Sequence, residues 1–287
     1  MNCKQFFWRI WAGFLAAIVT PLCVWLQVPK PACGQLLDLN RFALTWSDEF
    51  DGTQLDPAKW KAHGGAGVTV RRDGYWSLDM ATVSDGHLRV ASRYIEEGLD
   101  GSPGGWYTAG LDTSGLFEQK YGYFEVRAKM PKGVGLWSAF WMMSNPGMMH
   151  DATMSCVDGS GRDGTEIDIM ESPYYYKAWP QRNSTMHTIH YDGYGVAHRS
   201  QSIGDYYIRR PYDTFHTYGL EWNENEYIFY IDGTETGRTN FGGASQVPEY
   251  LLLSVEHQNG GWAGDIRDNK SQPTDFVVDY VRVYQYK

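Results

Sequence analysis

The sequence predicts an all-β protein: a two-sheet antiparallel β-sandwich of the jelly-roll type, with a concave groove on one face. Three observations predict it. Residues 35–287 consist of short alternating runs separated by Gly, Asp, Asn and Pro. No segment of that stretch sustains helical periodicity. The chain of 287 residues is 43% hydrophobic and carries 12 Trp, 20 Tyr and 12 Phe, which suits a β-rich core and also flat platforms for sugar rings.

The elements follow in order. His87–Ser92 alternates after the turn Asp85-Gly86. Tyr121–Met130 (YGYFEVRAKM) alternates and stops at Pro131. Leu136–Met143 (LWSAFWMM) is almost wholly apolar, as a central strand buried on both faces would be. Glu226–Ile231 runs into Asp232-Gly233, a hairpin signal. Tyr250–Val255 and Phe276–Tyr284 complete the set.

The first 34 residues read differently. Lys4, Arg9 and Lys30 are their only charges, and Ile10–Pro29 is an uncharged apolar run interrupted by Pro21. A basic start before an apolar run is the pattern of a secretory signal peptide, or of an N-terminal anchor if it is retained. The expected division is therefore a leader over 1–34 and one catalytic domain over 35–287, secreted or held at the cell envelope. A membrane enters only if the leader stays attached. Removing the leader changes the net charge from −9 to −12, since 22 cations then face 34 acids. An acidic surface argues against nucleic acid as a partner. Cys156 is the one cysteine in 35–287, so no intramolecular disulfide and no cysteine-based metal site is available there. A monomer is expected. The long Gly- and Met-rich loop Ser144–Gly164 precedes the most informative segment of the chain.

That segment is Gly164-Thr165-Glu166-Ile167-Asp168-Ile169-Met170-Glu171. Alternate residues of a strand share a face, so Glu166 and Asp168 point one way and Ile167 and Ile169 the other. Regular alternation would then turn Glu171 inward. A β-bulge at Ile169-Met170 absorbs one residue and returns Glu171 to the acidic face. Three crowded carboxylates cost energy and split their pKa values, a burden that a purely structural strand rarely carries. Retaining glycoside hydrolysis needs this arrangement: one ionised nucleophile and one protonated acid, about 5–5.5 Å apart.

At these residues the chain resembles glycoside hydrolase family 16, in the branch whose signature is the bulged E-x-D-x-x-E. Four further segments carry the resemblance: Trp46–Gly52, Tyr121–Lys129, Gly135–Met142 (with Ser138 where the family usually has Pro) and Asp279–Tyr284. The resemblance implies a concanavalin A-like sandwich. It implies that Glu166 is the nucleophile, Asp168 the assisting acid and Glu171 the acid/base. It also places Trp137 and Trp141 on the catalytic face as sugar platforms, with His190 beside the acids. Glu256, Gln258 and Trp262 are expected along the groove, and Trp106, Tyr107 and Trp179 are candidates to extend it. No cofactor is needed for catalysis. A structural calcium is implied on the convex face, at the Gly86 carbonyl and Asp279, with a further ligand near Glu49.

The function expected is a retaining endo-glycosidase acting on a polysaccharide, β-1,3-glucan or mixed-linkage β-1,3-1,4-glucan first. A galactanase of the agarase, porphyranase or carrageenase kind is the alternative within the class, as is a transglycosylase. A non-catalytic carbohydrate-binding protein on the same sandwich is the alternative from outside it.

Overall fold

The computed structural model describes residues 32–144, 157–174, 183–269 and 274–287. Residues 1–31 of the leader, Cys156 and Trp179 lie outside the described residues.

Two antiparallel sheets form the sandwich. The sheet that bears the acids runs, in spatial order, Arg199–Tyr207, Ser184–Tyr191, Glu166–Pro173, Leu136–Ser144, Glu249–His257, Gly110–Asp112 and Lys61–Ala62. The second sheet runs Thr234–Thr239, Tyr227–Ile231, His216–Trp222, Gly122–Lys129, Phe276–Tyr286, His87–Val90 and Ala81–Ser84, with Phe42–Asp48 also paired to Phe276–Tyr286. The runs legible in the sequence are the central strands of both sheets. Sequence reading missed the edge strand Arg199–Tyr207, which is mostly polar and half-exposed and so offers little alternation to read.

The inner faces meet through one apolar cluster. Phe124, Val126, Ala128, Leu220, Trp222 and Phe229 of the second sheet pack against Phe140, Met142, Ile167, Ile169, Leu251 and Leu253 of the first. Each such side chain contributes roughly 1.5–3 kcal/mol when fully buried, and Cys33, the one cysteine among the described residues, is free. Alternation then sends Ala139, Trp141 and Met143 to the opposite face of their strand, where they form a separate cluster with Tyr250 and Leu252. That outward apolar face is the floor of a groove.

A third, small sheet was not foreseen. It is built from Thr69–Arg71, Gly74–Trp76, Gly105–Thr108 and Arg93–Ile95, and one of its pairings, Gly74–Trp76 with Gly105–Thr108, is parallel. It absorbs Trp106 and Tyr107, two residues expected to extend the groove. Trp106 is 7% exposed and joins the main core, and the fully buried Tyr107 donates its hydroxyl to the Pro103 carbonyl.

Candidate active site

The expected bulge is present. Against Ser184–Tyr191, Asp168 faces Thr188 and Glu171 faces Met186, so Ile169 and Met170 together oppose His187. Against Leu136–Ser144, Trp141 faces Asp168 and Phe140 faces Met170, which leaves Ile169 as the residue without a partner. Glu166, Asp168 and Glu171 consequently all line one cavity of about 530 Å³. Ile167, Ile169 and Met170 are fully buried on the other side.

Burial controls the electrostatics of the triplet. Glu171 is pushed well above the usual carboxylate range, first by desolvation and then by the charges of Asp168 and Glu166. Asp168, 4% exposed, is raised by the same two effects, desolvation ahead of the Glu166 charge. Three acids in one low-dielectric site cannot all ionise, and the most buried keep their protons. Glu166 is held differently. The Tyr194 hydroxyl donates to its Oε2, and His190 Nε2 lies 3.8 Å from its Oε1. The same His190 nitrogen is 3.2 Å from Asp168 Oδ2, while His190 Nδ1 and His198 Nε2 are 2.9 Å apart. Among the described residues, Glu166, Asp168 and His190 are the one group of acids and histidines close enough to share an ion.

Most of the predicted groove residues lie where expected. Trp137, Trp141, His190, Glu256 and Trp262 all line the cavity. Trp141 Nε1 donates to Ser254 Oγ at 3.1 Å, which fixes the ring on the floor. Trp137 and Trp262 meet edge to face at 4.7 Å between ring centres. Gln258 differs: it is absent from the lining, and its Oε1 accepts from the Ala263 amide at 2.7 Å to close a local turn.

Several lining residues escaped sequence reading. Arg71 and Arg72 come from the small sheet and its turn. Both bond to the buried Glu256, Arg71 at 2.6 Å, and Arg72 stands 4.3 Å above the Trp137 ring. Arg72 has φ +47°, a left-handed conformation that a non-glycine residue seldom adopts. His63 is oriented by Asp112 at 2.7 Å and meets Trp141 edge to face. Tyr194 and His198 come from the segment after Ser184–Tyr191. Isolated arginines, histidines and tyrosines in turns carry no period, so only the fold could collect them.

The calcium expectation fares less well. Gly86, Asp279 and Glu49 do converge on one shallow pocket of the second sheet. Arg127 bonds to Asp279, and Arg282 holds Glu49 in a paired contact at 2.8 and 2.9 Å. Two guanidiniums occupy the carboxylates that a hard cation would need, so the residues as arranged do not fit a calcium ion.

Comparison with known proteins agrees with this geometry. The family description "Beta-porphyranase A-D, GH16 domain" matches residues 43–286. The endo-1,3-1,4-β-glycanase ExsH of Rhizobium meliloti is 29% identical over 86% of the chain, which spans about half (53%) of that relative's length. The β-glucanase of Rhodothermus marinus is 30% identical, with 85% of each sequence covered. Among solved structures, that of SCLam, a non-specific endo-β-1,3(4)-glucanase from family GH16, superposes with a TM-score of 0.70 at 28% identity, covering 91% of this chain and 98% of that one. A bulged acidic strand on a sandwich that matches at this length leaves one assignment: the chain belongs to glycoside hydrolase family 16.

Proposed function

We propose that the protein is a retaining endo-glycosidase that cleaves internal β-linkages of a polysaccharide by double displacement. The observation that carries this reading is the placement of Glu166, Asp168 and Glu171 on one groove floor, with Glu171 kept protonated by burial. Glu166 attacks the anomeric carbon while Glu171 gives its proton to the departing glycosidic oxygen. The glycosyl-enzyme ester is then opened by water, whose proton returns to Glu171. Asp168 lies 3.2 Å from His190 Nε2 beside Glu166, and negative charge on the Asp168–Glu166 pair favours the protonated form of Glu171. Trp137, with Arg72 over its ring, and the largely buried Trp141 form an apolar floor against which sugar C–H groups pack. An open groove crossing several strands suits an internal stretch of a linear chain.

The substrate proposed first is β-1,3-glucan or mixed-linkage β-1,3-1,4-glucan, supported by the glucanase relatives and by the neutral aromatic floor. A second reading, an anionic galactan, is favoured by a specific observation. Arg71 and Arg72 share the single carboxylate of Glu256, leaving one positive charge over at that end of the groove, the ionised Glu166 being counted separately. The porphyranase-type family description points the same way. We also propose export to the exterior or the envelope, on the strength of the leader pattern in residues 1–34.

The test is hydrolysis of laminarin, barley β-glucan, agarose, porphyran and carrageenan by the purified domain, with anomeric products followed by NMR. A product first released as the β-anomer, and loss of activity in Glu166→Gln and Glu171→Gln, are expected. An inverted product, or full activity in either variant, overturns the mechanism. Binding to a glycan without cleavage moves the protein to the carbohydrate-binding class.

A further inference from the structure

The bulge that makes the site has a dependent group. Ile169 has no partner residue on either neighbouring strand, yet it is fully buried. Its carbonyl needs a donor, because an unpaired buried carbonyl costs about 1–3 kcal/mol. A side-chain donor comes from the residue directly opposite the bulge. His187 Nδ1 lies 2.7 Å from the Ile169 oxygen, and its Nε2 lies 2.9 Å from Thr236 Oγ1 of the facing sheet. A carbonyl only accepts, so Nδ1 carries the proton; the Thr236 hydroxyl beside Nε2 also donates to the Phe229 carbonyl at 3.1 Å. The ring stacks on Phe229 at 4.7 Å and is wholly buried between the sheets, on the side away from substrate. Burial drives its pKa down to about 4, so the imidazole is neutral and this tautomer persists at working pH.

We propose that His187 is a positioning residue for Glu171: its Nδ1–H holds the Ile169 carbonyl, and thereby the extra residue that turns Glu171 into the groove. This rests on Glu171 being the acid/base. His187 touches neither the acids nor the groove, and works through the backbone between them. Without its donor, the strand gains by sliding back to regular pairing, which would carry Glu171 to the core side.

Two amides separate the donor from the ring. His187→Asn places an N–H where Nδ1 stands, whereas His187→Gln places one where Nε2 stands. Each is compared with wild type on whichever of the five glycans is hydrolysed. Each is also assayed on the 2,4-dinitrophenyl glycoside of the matching oligosaccharide, whose leaving group departs without protonation, by first-turnover release of dinitrophenolate. His187→Gln should lose about 100-fold in kcat on the polysaccharide, the scale of a general acid, and less than about 5-fold on the aryl glycoside. His187→Asn should stay within about 5-fold of wild type on both, as a retained hydrogen bond requires. Equal losses on the two substrates, an Asn variant no better than Gln, or failure of both to fold would each overturn the proposal by making His187 merely structural. Wild-type behaviour of His187→Gln overturns it as well. Glu171→Ala is the separate control. If it still cleaves the polysaccharide, the acid/base assignment fails whatever the His187 variants do.

Discussion

The Arg72 guanidinium covers the Trp137 ring at 4.3 Å and bonds to Glu256 beneath it, so the aromatic platform at that end of the groove is roofed by a cation. A neutral glucan gains little from a roof of this kind, whereas a sulfate or carboxylate would bind it by charge-assisted hydrogen bonds. Replacing Arg71 and Arg72 by Gln should therefore act on substrates unequally. If an anionic galactan is the substrate, kcat/KM on it falls by about 100-fold or more, the scale of losing a buried charged contact. Activity on laminarin should change by less than about 5-fold, since an uncharged partner forms no ion pair with them. Equal losses on both would show that the arginines serve only to hold Glu256.

Tyr194 donates to Glu166 from the segment that borders the groove. A hydrogen bond to a charged group is worth about 1.5–3 kcal/mol. Tyr194→Phe should lower kcat by about 10-fold or more while KM moves little, as a lost bond of that size implies. A change confined to KM would instead make Tyr194 a sugar contact.

The alkaline limb of kcat against pH should report Glu171. Its pKa is raised, so the catalytically competent protonated form is present below that pKa and is lost as pH rises through it. Because burial is the largest cause, salt should matter little. The limb should move by less than about 0.3 pH unit between low salt and 0.5 M NaCl, where long-range surface charges are screened. A larger displacement would assign the shift to distant charges instead.

Glu249 opens the strand that pairs Leu136–Ser144 and is fully buried, accepting from the Thr165 amide at 3.1 Å and its hydroxyl at 2.7 Å. Desolvation, the largest cause, raises its pKa from 4.5 to about 8. Between those values the unfolded chain has released the proton and the native chain retains it. Stability is thus greatest at low pH and declines as pH rises toward 8, by up to about 1.4 kcal/mol per unit from this group alone. His187 and His257, pushed down by burial to about 4 and about 3, are neutral in both states above 6.5 and do not interfere there. Glu249→Gln keeps an acceptor for Thr165 and removes the proton. Its melting temperature should exceed that of wild type by several degrees at pH 8 and match it near pH 5, and equal curves at pH 8 would remove Glu249 from the account.

The acids were legible because a strand's twofold period leaves a visible fault when three carboxylates must share a face. The sequence Glu-Ile-Asp-Ile-Met-Glu shows that fault, and the paired strands on both sides of Ile169 resolve it as a bulge. The same period puts Trp137 and Trp141 on one face of their strand, but only the resemblance said that this face borders the groove. Trp106 and Tyr107 misled because aromatic residues in a loop-like segment look alike whether they face sugar or core, and the small sheet buried them. Arg71, Arg72, His63 and Tyr194 come from separate turns, and their convergence depends on distances that no local pattern encodes. The convex-face pocket shows the converse. Resemblance named Gly86 and Asp279, but Arg127 and Arg282 had to be seen in place before their claim on the carboxylates was visible.

The small sheet that carries Arg71 and Arg72 shares no ladder with the strand bearing the acids. If Arg71 and Arg72 select the glycan as proposed, bond cleavage and that part of glycan choice lie on different pieces of backbone. The hairpin Thr69–Trp76 reaches the acid-bearing sheet through Glu256 and through Trp76, which donates to the Val255 carbonyl, so an exchange of its charge that keeps Trp76 is expected to leave the register of Glu166–Pro173 in place. Such grafts offer a way to redirect this scaffold to new polysaccharides, and they give a lineage of such enzymes room to change diet while its chemistry stays still.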